Sequence, residues 1–161
     1  MAVWQFQLKL VPRAVAAAHG LLPGGHLTDS FREEVAWWRD RSLTADALQP
    51  LYEILPPGKT WTEELEVLGD LETTCVTILR ESGVIVEVHA RLDLRTFSAE
   101  AGKALLDFAR RLECLLLTDE NKALNPDSTA LAEAIKTSPA YKIVKDPDAF
   151  LFNLTAGKAL K

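Results

Sequence analysis

The sequence predicts a single α+β domain over residues 1–161, with a mainly antiparallel sheet of four or five strands and helices packed on it. Three observations predict this fold class. An alternating apolar and polar segment opens the chain, strand-like segments follow one another in its middle without a helix between them, and its C-terminal half has helical apolar spacing. A length of 161 residues and a hydrophobic content of 48% are typical of one globular domain.

The first segment is a half-buried strand, because its side chains change character at every second residue. Its apolar side is Trp4, Phe6, Leu8 and Leu10, and its polar side is Gln5, Gln7 and Lys9. Pro12 ends it, since proline cannot donate to a strand ladder. Residues 14–18 are compatible with a short helix closed by Gly20.

Two helices are predicted before the central strands. Ser30 and Glu33 have the spacing of a capping box, which predicts a helix that places Phe31, Val35 and Trp38 on one inward face. Thr44 is the expected cap of the second helix, in which Pro50 is an awkward residue.

The centre carries the strongest strand signal. Residues 65–71, 74–80 and 84–95 are read as strands, and Glu81-Ser82-Gly83 predicts a tight turn that pairs the last two as a hairpin. The expected core of the domain is Trp4, Phe6, Leu8, Val76, Ile78, Val86, Val88, Leu92, Leu105, Phe108 and Leu116.

The C-terminal half predicts a helix capped by Ser98, a short buried strand over 114–118 and a helix that starts near 125–128. Asp146 followed by Pro147 predicts the start of a terminal helix.

Charge and composition limit the classes of function that this chain can have. Eighteen basic and 23 acidic residues give a net charge of −5, which argues against a nucleic-acid binder and suits a basic protein partner. Gln5, Gln7 and Lys9 interrupt the N-terminus too often for a signal peptide, and no apolar run is long enough for a membrane span. The two cysteines, Cys75 and Cys114, are expected to be buried free thiols, so a cytoplasmic setting fits. No cofactor is expected, because no glycine-rich phosphate loop or nucleophile motif occurs.

The predicted strand 84–95 has one face rich in ionisable residues: Ile85, Glu87, His89, Arg91, Asp93 and Arg95. Three interpretations stay open. The row is a solvated ladder of ion pairs, or a recognition surface in which Arg91, Asp93 and Arg95 bond a partner protein. In the third, Glu87, His89 and Asp93 serve as metal ligands or acid–base groups of a small enzyme.

A second candidate surface is the acidic run Glu63, Glu64, Glu66, Asp70 and Glu72. Carboxylates on an edge strand discourage pairing between molecules, and they also offer a patch to a cationic partner. The candidate partner-binding residues are therefore Glu64 and Glu66 together with the charged row.

Scattered positions resemble a known class of proteins. Trp61 and Gly69, the run 84–95, a late Ser-Pro-Ala at 138–140 and Asp-Pro at 146–147 resemble small acidic cytosolic bacterial proteins of the polymorphic-toxin immunity type. The resemblance implies a non-enzymatic protein that binds and neutralises a toxin. A small metal- or ligand-binding enzyme that uses Glu87, His89 and Asp93 is the alternative.

Overall fold

The computed structural model describes residues 4–96 and 98–142. Its strands are β1 (Gln5–Pro12), β2 (Leu65–Gly69), β3 (Cys75–Glu81), β4 (Val84–Asp93), β5 (Cys114–Thr118) and β6 (Ala123–Leu124). Its helices are α1 (Arg13–Ala18), α2 (Asp29–Glu34), α3 (Ala45–Tyr52), α4 (Ala99–Arg111) and α5 (Ser128–Lys136), followed by a 3₁₀ turn at Pro139–Lys142.

The predicted α+β class is confirmed. Within the described residues the strands form one antiparallel sheet in the order β2-β3-β4-β1-β5-β6, with helices packed on it. The sheet has six strands instead of the expected four or five. The additional strand β6 has only two residues, which is too short to leave an alternating pattern in the sequence.

The register defines two faces of the sheet. On the first face Leu68, Val76, Ala90 and Leu8 lie side by side across four strands, and all four are buried. Helix α4 adds Leu105 and Phe108 to this core, and it contacts α3, α5 and β5. The predicted core residues are buried except Trp4 and Val86, which are half-buried.

A β-bulge explains Val86. Leu79 pairs with Glu87 while Arg80 pairs with Ile85, so Val86 is an extra residue without a partner on β3. The extra residue shifts the alternation of β4, which buries Ile85 and leaves Val84 exposed. The expected apolar face of this strand is therefore wrong at Val84 and Val86, while its other four residues are buried: Val88, Ala90, Leu92 and Leu94.

Helix α2 also differs from the prediction. Its N-cap is Thr28, whose hydroxyl accepts from the Phe31 N–H at 3.2 Å, while the Ser30 hydroxyl donates to Glu34 within the helix. The backbone is extended at Val35, so the helix contains Phe31 but ends before Val35 and Trp38, the other two residues expected on its inward face. Trp38 is buried nonetheless, and its indole N–H donates to the Leu10 carbonyl at 3.1 Å.

The predicted caps Thr44 and Ser98 are confirmed, since each accepts from the backbone N–H three residues later, and Gly20 follows α1 with φ of 77°. The helix expected to start near 125–128 begins at Ser128, and Asp127 is its N-cap. The terminal helix expected after Asp146 lies outside the described residues.

Pro50 lies inside α3 without ending it. Because proline has no N–H, the Asp46 carbonyl one turn earlier loses its helical donor. Arg111 of α4 donates to that carbonyl at 3.3 Å. The proline therefore provides an acceptor through which α4 is tied to α3.

Short segments cover both edges of the sheet. Beside β2, the Gly58 N–H donates to the Val67 carbonyl at 2.8 Å and the Gly69 N–H donates to the Pro56 carbonyl at 2.7 Å. This close approach depends on glycine, because a Cβ at Gly58 would overlap the Gly69 carbonyl oxygen.

The opposite edge, at β6, is covered by residues 24–26. Both main-chain groups of Ala123 bond to this segment: the Gly24 N–H donates to the Ala123 carbonyl at 2.8 Å, and the Ala123 N–H donates to the Gly25 carbonyl at 2.9 Å. His26 forms a bridge to Lys122 beside them.

We expect Gly58→Ala to lower the free energy of unfolding by about 1–3 kcal/mol, because the added methyl group separates the 56–58 segment from β2. Hydrogen exchange at the Gly69 amide should accelerate at the same time. Chemical denaturation and exchange measured by NMR test this, with the exposed substitution Lys59→Ala as the control. Unchanged exchange at Gly69 would show that this edge contact is not needed.

The two cysteines are buried free thiols, as predicted. They lie on β3 and β5, which β4 and β1 separate. Burial raises the pKa of the Cys114 thiol to about 12, and burial also raises the pKa of Cys75.

Neither thiol should therefore react with a disulfide reagent at pH 8 while the protein is folded, because the reactive thiolate is scarce and inaccessible. In denaturant both should react at once. Absorbance of the released thiol reports this directly, and full labelling of the folded chain at the denatured rate would contradict it.

Candidate functional site

The charged row lies on the second face of β4, between β3 and β1. His89 lies between Thr77 and Lys9, and Arg91 lies between Cys75 and Gln7. His89 and Arg91 are both half-buried, so the charged row is not a fully solvated ladder of ion pairs.

Asp93 is the most deeply placed member of the row, with no exposed surface. Its carboxylate accepts from the Arg95 Nε at 3.0 Å, from the Arg95 Nη2 at 2.7 Å and from the Arg95 backbone N–H at 3.0 Å. Burial alone would raise the pKa of Asp93, but the hydrogen bonds from Arg95 outweigh it, and the pKa lies below its ordinary value.

The Arg95 guanidinium has a second role. Its carbon lies 3.8 Å from the ring centroid of Trp4, which is a cation–π contact. The Asp93 N–H donates to the Thr74 hydroxyl at 3.0 Å. Asp93 therefore joins the end of β4 to the start of β1 through its carboxylate and Arg95, and to the loop before β3 through its backbone N–H.

Arg91 is held by the same loop. Its Nη1 donates to the Leu71 carbonyl at 2.7 Å, and its buried Nε has no hydrogen-bond partner. Gln5 also donates to this loop, at the Glu72 carbonyl. The loop therefore folds over one end of the charged row and occupies the arginine that we expected to bind a partner.

At the other end of the row, Glu87 pairs with the Nζ of Lys9 at 3.4 Å. Lys9 is nearly buried, while the Glu87 carboxylate is 40% exposed. Glu87, His89 and Asp93 do not form a metal site: no group of three or more histidine, cysteine or acidic side chains within the described residues could hold an ion.

The acidic residues of β2 divide into two kinds. Glu66 pairs with Arg80 across the strands at 3.0 Å and is half-buried. Glu64 is exposed and bonds through its backbone: its N–H donates to the Thr62 hydroxyl at 3.2 Å, and its carbonyl accepts from the Arg80 N–H at 2.8 Å. Glu64 is thus the predicted partner-binding residue with the most accessible carboxylate.

The structure adds two apolar residues to this acidic region. Trp61 is 80% exposed and Val84 is 52% exposed. The hydrogen bond from the Arg80 N–H to the Glu64 carbonyl holds the start of β2 beside the β3–β4 turn. Trp61 and Val84 therefore lie at the same end of the sheet. We call Trp61, Glu63, Glu64, Glu81 and Val84 the acidic tip.

A tight turn joins β3 and β4 at the acidic tip. Ser82 and Gly83 have φ of 52° and 80°, as a two-residue hairpin turn requires. Three exposed carboxylates, at Glu63, Glu64 and Glu81, accompany the two apolar groups. The sequence analysis identified Glu63 and Glu64 as part of an acidic surface. It did not predict that Trp61 is exposed at the same end of the sheet.

No protein-family model, curated protein or solved structure matches this chain. Among the described helices, none is long and apolar enough to cross a membrane.

We expect Asp93→Asn to lower the free energy of unfolding by about 1–3 kcal/mol at pH 7, since a neutral amide is a weaker acceptor for Arg95. The folded-state pKa of Asp93 lies below the unfolded one, so its carboxylate stabilises the fold at neutral pH. That stabilisation should decline below about pH 4 and be lost as the pH falls through the folded-state value.

Urea denaturation of the wild type and Asp93→Asn over a pH series measures this. The gap between the two should narrow in acid, whereas Asp107→Asn, which changes an exposed carboxylate, should show little effect at any pH. A gap that stays constant from neutral to acidic pH would contradict the role of the charge.

Proposed function

We propose that this chain is a non-enzymatic protein-binding module whose acidic tip takes the cationic surface of a partner protein. The proposed role is that of an immunity-type inhibitor that neutralises a basic bacterial toxin in the cytoplasm. The observation that carries the proposal is the exposure of Trp61 among carboxylates.

An exposed tryptophan favours an interface on energetic grounds. Burying an indole of this exposure against a partner removes apolar surface worth roughly 3–5 kcal/mol. Tryptophan is also enriched among the residues that dominate binding energy. Val84 extends the apolar surface at the same end of the sheet.

The carboxylates favour a basic partner. Glu63, Glu64 and Glu81 outnumber Lys59, the exposed cation of the same segment. Arginine side chains of a partner would bond the carboxylates in pairs and stack on the indole. The overall charge of −5 would accelerate the approach of such a partner.

The covered sheet edges support contact through the tip. Residues 56–58 and 24–26 occupy main-chain groups of β2 and β6. A partner that added a strand to the sheet would first have to displace one of these segments. The acidic tip requires no such rearrangement.

The test uses the protein encoded beside this chain's gene as the probe. Calorimetry should show binding that Trp61→Ala weakens at least about tenfold and that Glu64→Lys also weakens, with most of the Glu64→Lys effect lost at high salt. Both changes are at exposed positions, so stability should move by no more than about 0.5 kcal/mol. Co-expression should relieve any growth inhibition by the probe, and Trp61→Ala should reduce that relief.

Two matched controls lie away from the acidic tip. Leu22→Ala truncates another exposed apolar side chain, and Glu100→Lys reverses another exposed carboxylate. Equal losses in the controls and the tip variants would refute the acidic tip as the interface. Failure of the probe to bind or to be neutralised would count against the immunity-type role.

A further inference from the structure

A cleft of about 480 Å³ lies near the β5–β6 turn. It is at the opposite edge of the sheet from β2 and so is separate from the acidic tip. Helix α5 forms one wall, the covering segment 24–26 contributes to the other, and Phe6 and Leu124 form an apolar floor. Small-molecule sites commonly have this volume and a largely apolar lining.

The shape of the cleft is set by α5. Ala130 and Ala134 lie one turn apart on its cleft-facing side, where larger apolar side chains would close the space. The neighbouring Leu131 and Ile135 are fully buried in the core. Leu131 and Ile135 therefore anchor α5 in the core, so the cleft does not result from poor packing of this helix.

The polar rim of the cleft is mainly anionic. Glu120, Asp127 and Glu133 line it, against the single cation Lys122 and the imidazole of His26. Asp127 is occupied as the N-cap of α5, accepting from the Ala130 N–H at 2.8 Å. The side-chain carboxylates of Glu120 and Glu133 form no hydrogen bond or ion pair with the described residues, so both remain available.

We propose that this cleft binds a small organic cation with an aliphatic body, of the alkyl diamine class. The methylene chain would lie on Phe6, Leu124 and the two alanines, where its burial is favourable. Its ammonium groups would bond the carboxylates of Glu120 and Glu133 as charge-assisted hydrogen bonds. Lys122 lies on the same rim and repels a cation, but the three carboxylates together outweigh its single positive charge.

The experiment compares three probes that share a five-carbon chain and differ in charge: cadaverine, 1,5-pentanediol and glutarate. Each is titrated into the ¹⁵N-labelled full chain and followed by amide chemical shifts. Cadaverine should give saturable shifts confined to the amides of the cleft, with a dissociation constant on the order of 1 mM. The diol and the diacid should give none that saturate.

Two variants test the site itself. Glu133→Gln removes one carboxylate and should weaken cadaverine binding by at least about fivefold. Ala134→Leu fills the cleft and should abolish it, while Glu100→Gln, an exposed change on α4, should leave it unaltered. Because Glu133→Gln alters only an exposed side chain, it keeps the test valid if Ala134→Leu fails to fold.

Several results would overturn the proposal. They are saturation by glutarate or by the diol to the same degree as by cadaverine, shifts centred outside the cleft, an unchanged affinity in Glu133→Gln, and the absence of any saturable binding. The proposal is independent of the partner of the acidic tip, so neither test decides the other.

Discussion

The arrangement around β4 depends on the ion pair between the buried carboxylate of Asp93 and Arg95. A charge without exposed surface is stable only when donors surround it, and Arg95 supplies three. Once Arg95 is fixed in this way, it stacks on Trp4 and orders the start of β1. The backbone N–H of Asp93 also donates to the Thr74 hydroxyl, which holds the loop whose Leu71 carbonyl accepts from Arg91.

Because of this arrangement, the candidate interface is the acidic tip and not the charged row of β4. The charged row of β4 is committed largely to contacts within the chain, and such contacts would have to be broken before a partner could use them. The acidic tip carries carboxylates with no comparable commitment, together with two exposed apolar side chains. The acidic tip is separate from the contacts of Asp93 and Arg95. Its side chains can therefore be substituted without loss of those contacts.

The sequence predicted what depends on local pattern. The strand that opens the chain, the caps at Thr44 and Ser98 and the turn after Glu81 are set by neighbouring residues, and the structure has them. The expectation that β1 is half-buried is wrong, because the strand lies between β4 and β5 and its polar residues Gln5 and Lys9 are buried. The bulge at Val86 depends on the register with β3, which no local pattern encodes. Likewise, the exposure of Trp61 follows from the fold and could not be predicted from the residues around it.

The covered edges of the sheet have a consequence for how the chain behaves at high concentration. An open edge strand is a template on which a second molecule can build, and that is a route to cross-β aggregates. Here Gly58 on one side and Gly24 with Gly25 on the other occupy the main-chain groups such a template would offer. Fibril growth through either edge would therefore have to begin with the detachment of a covering segment.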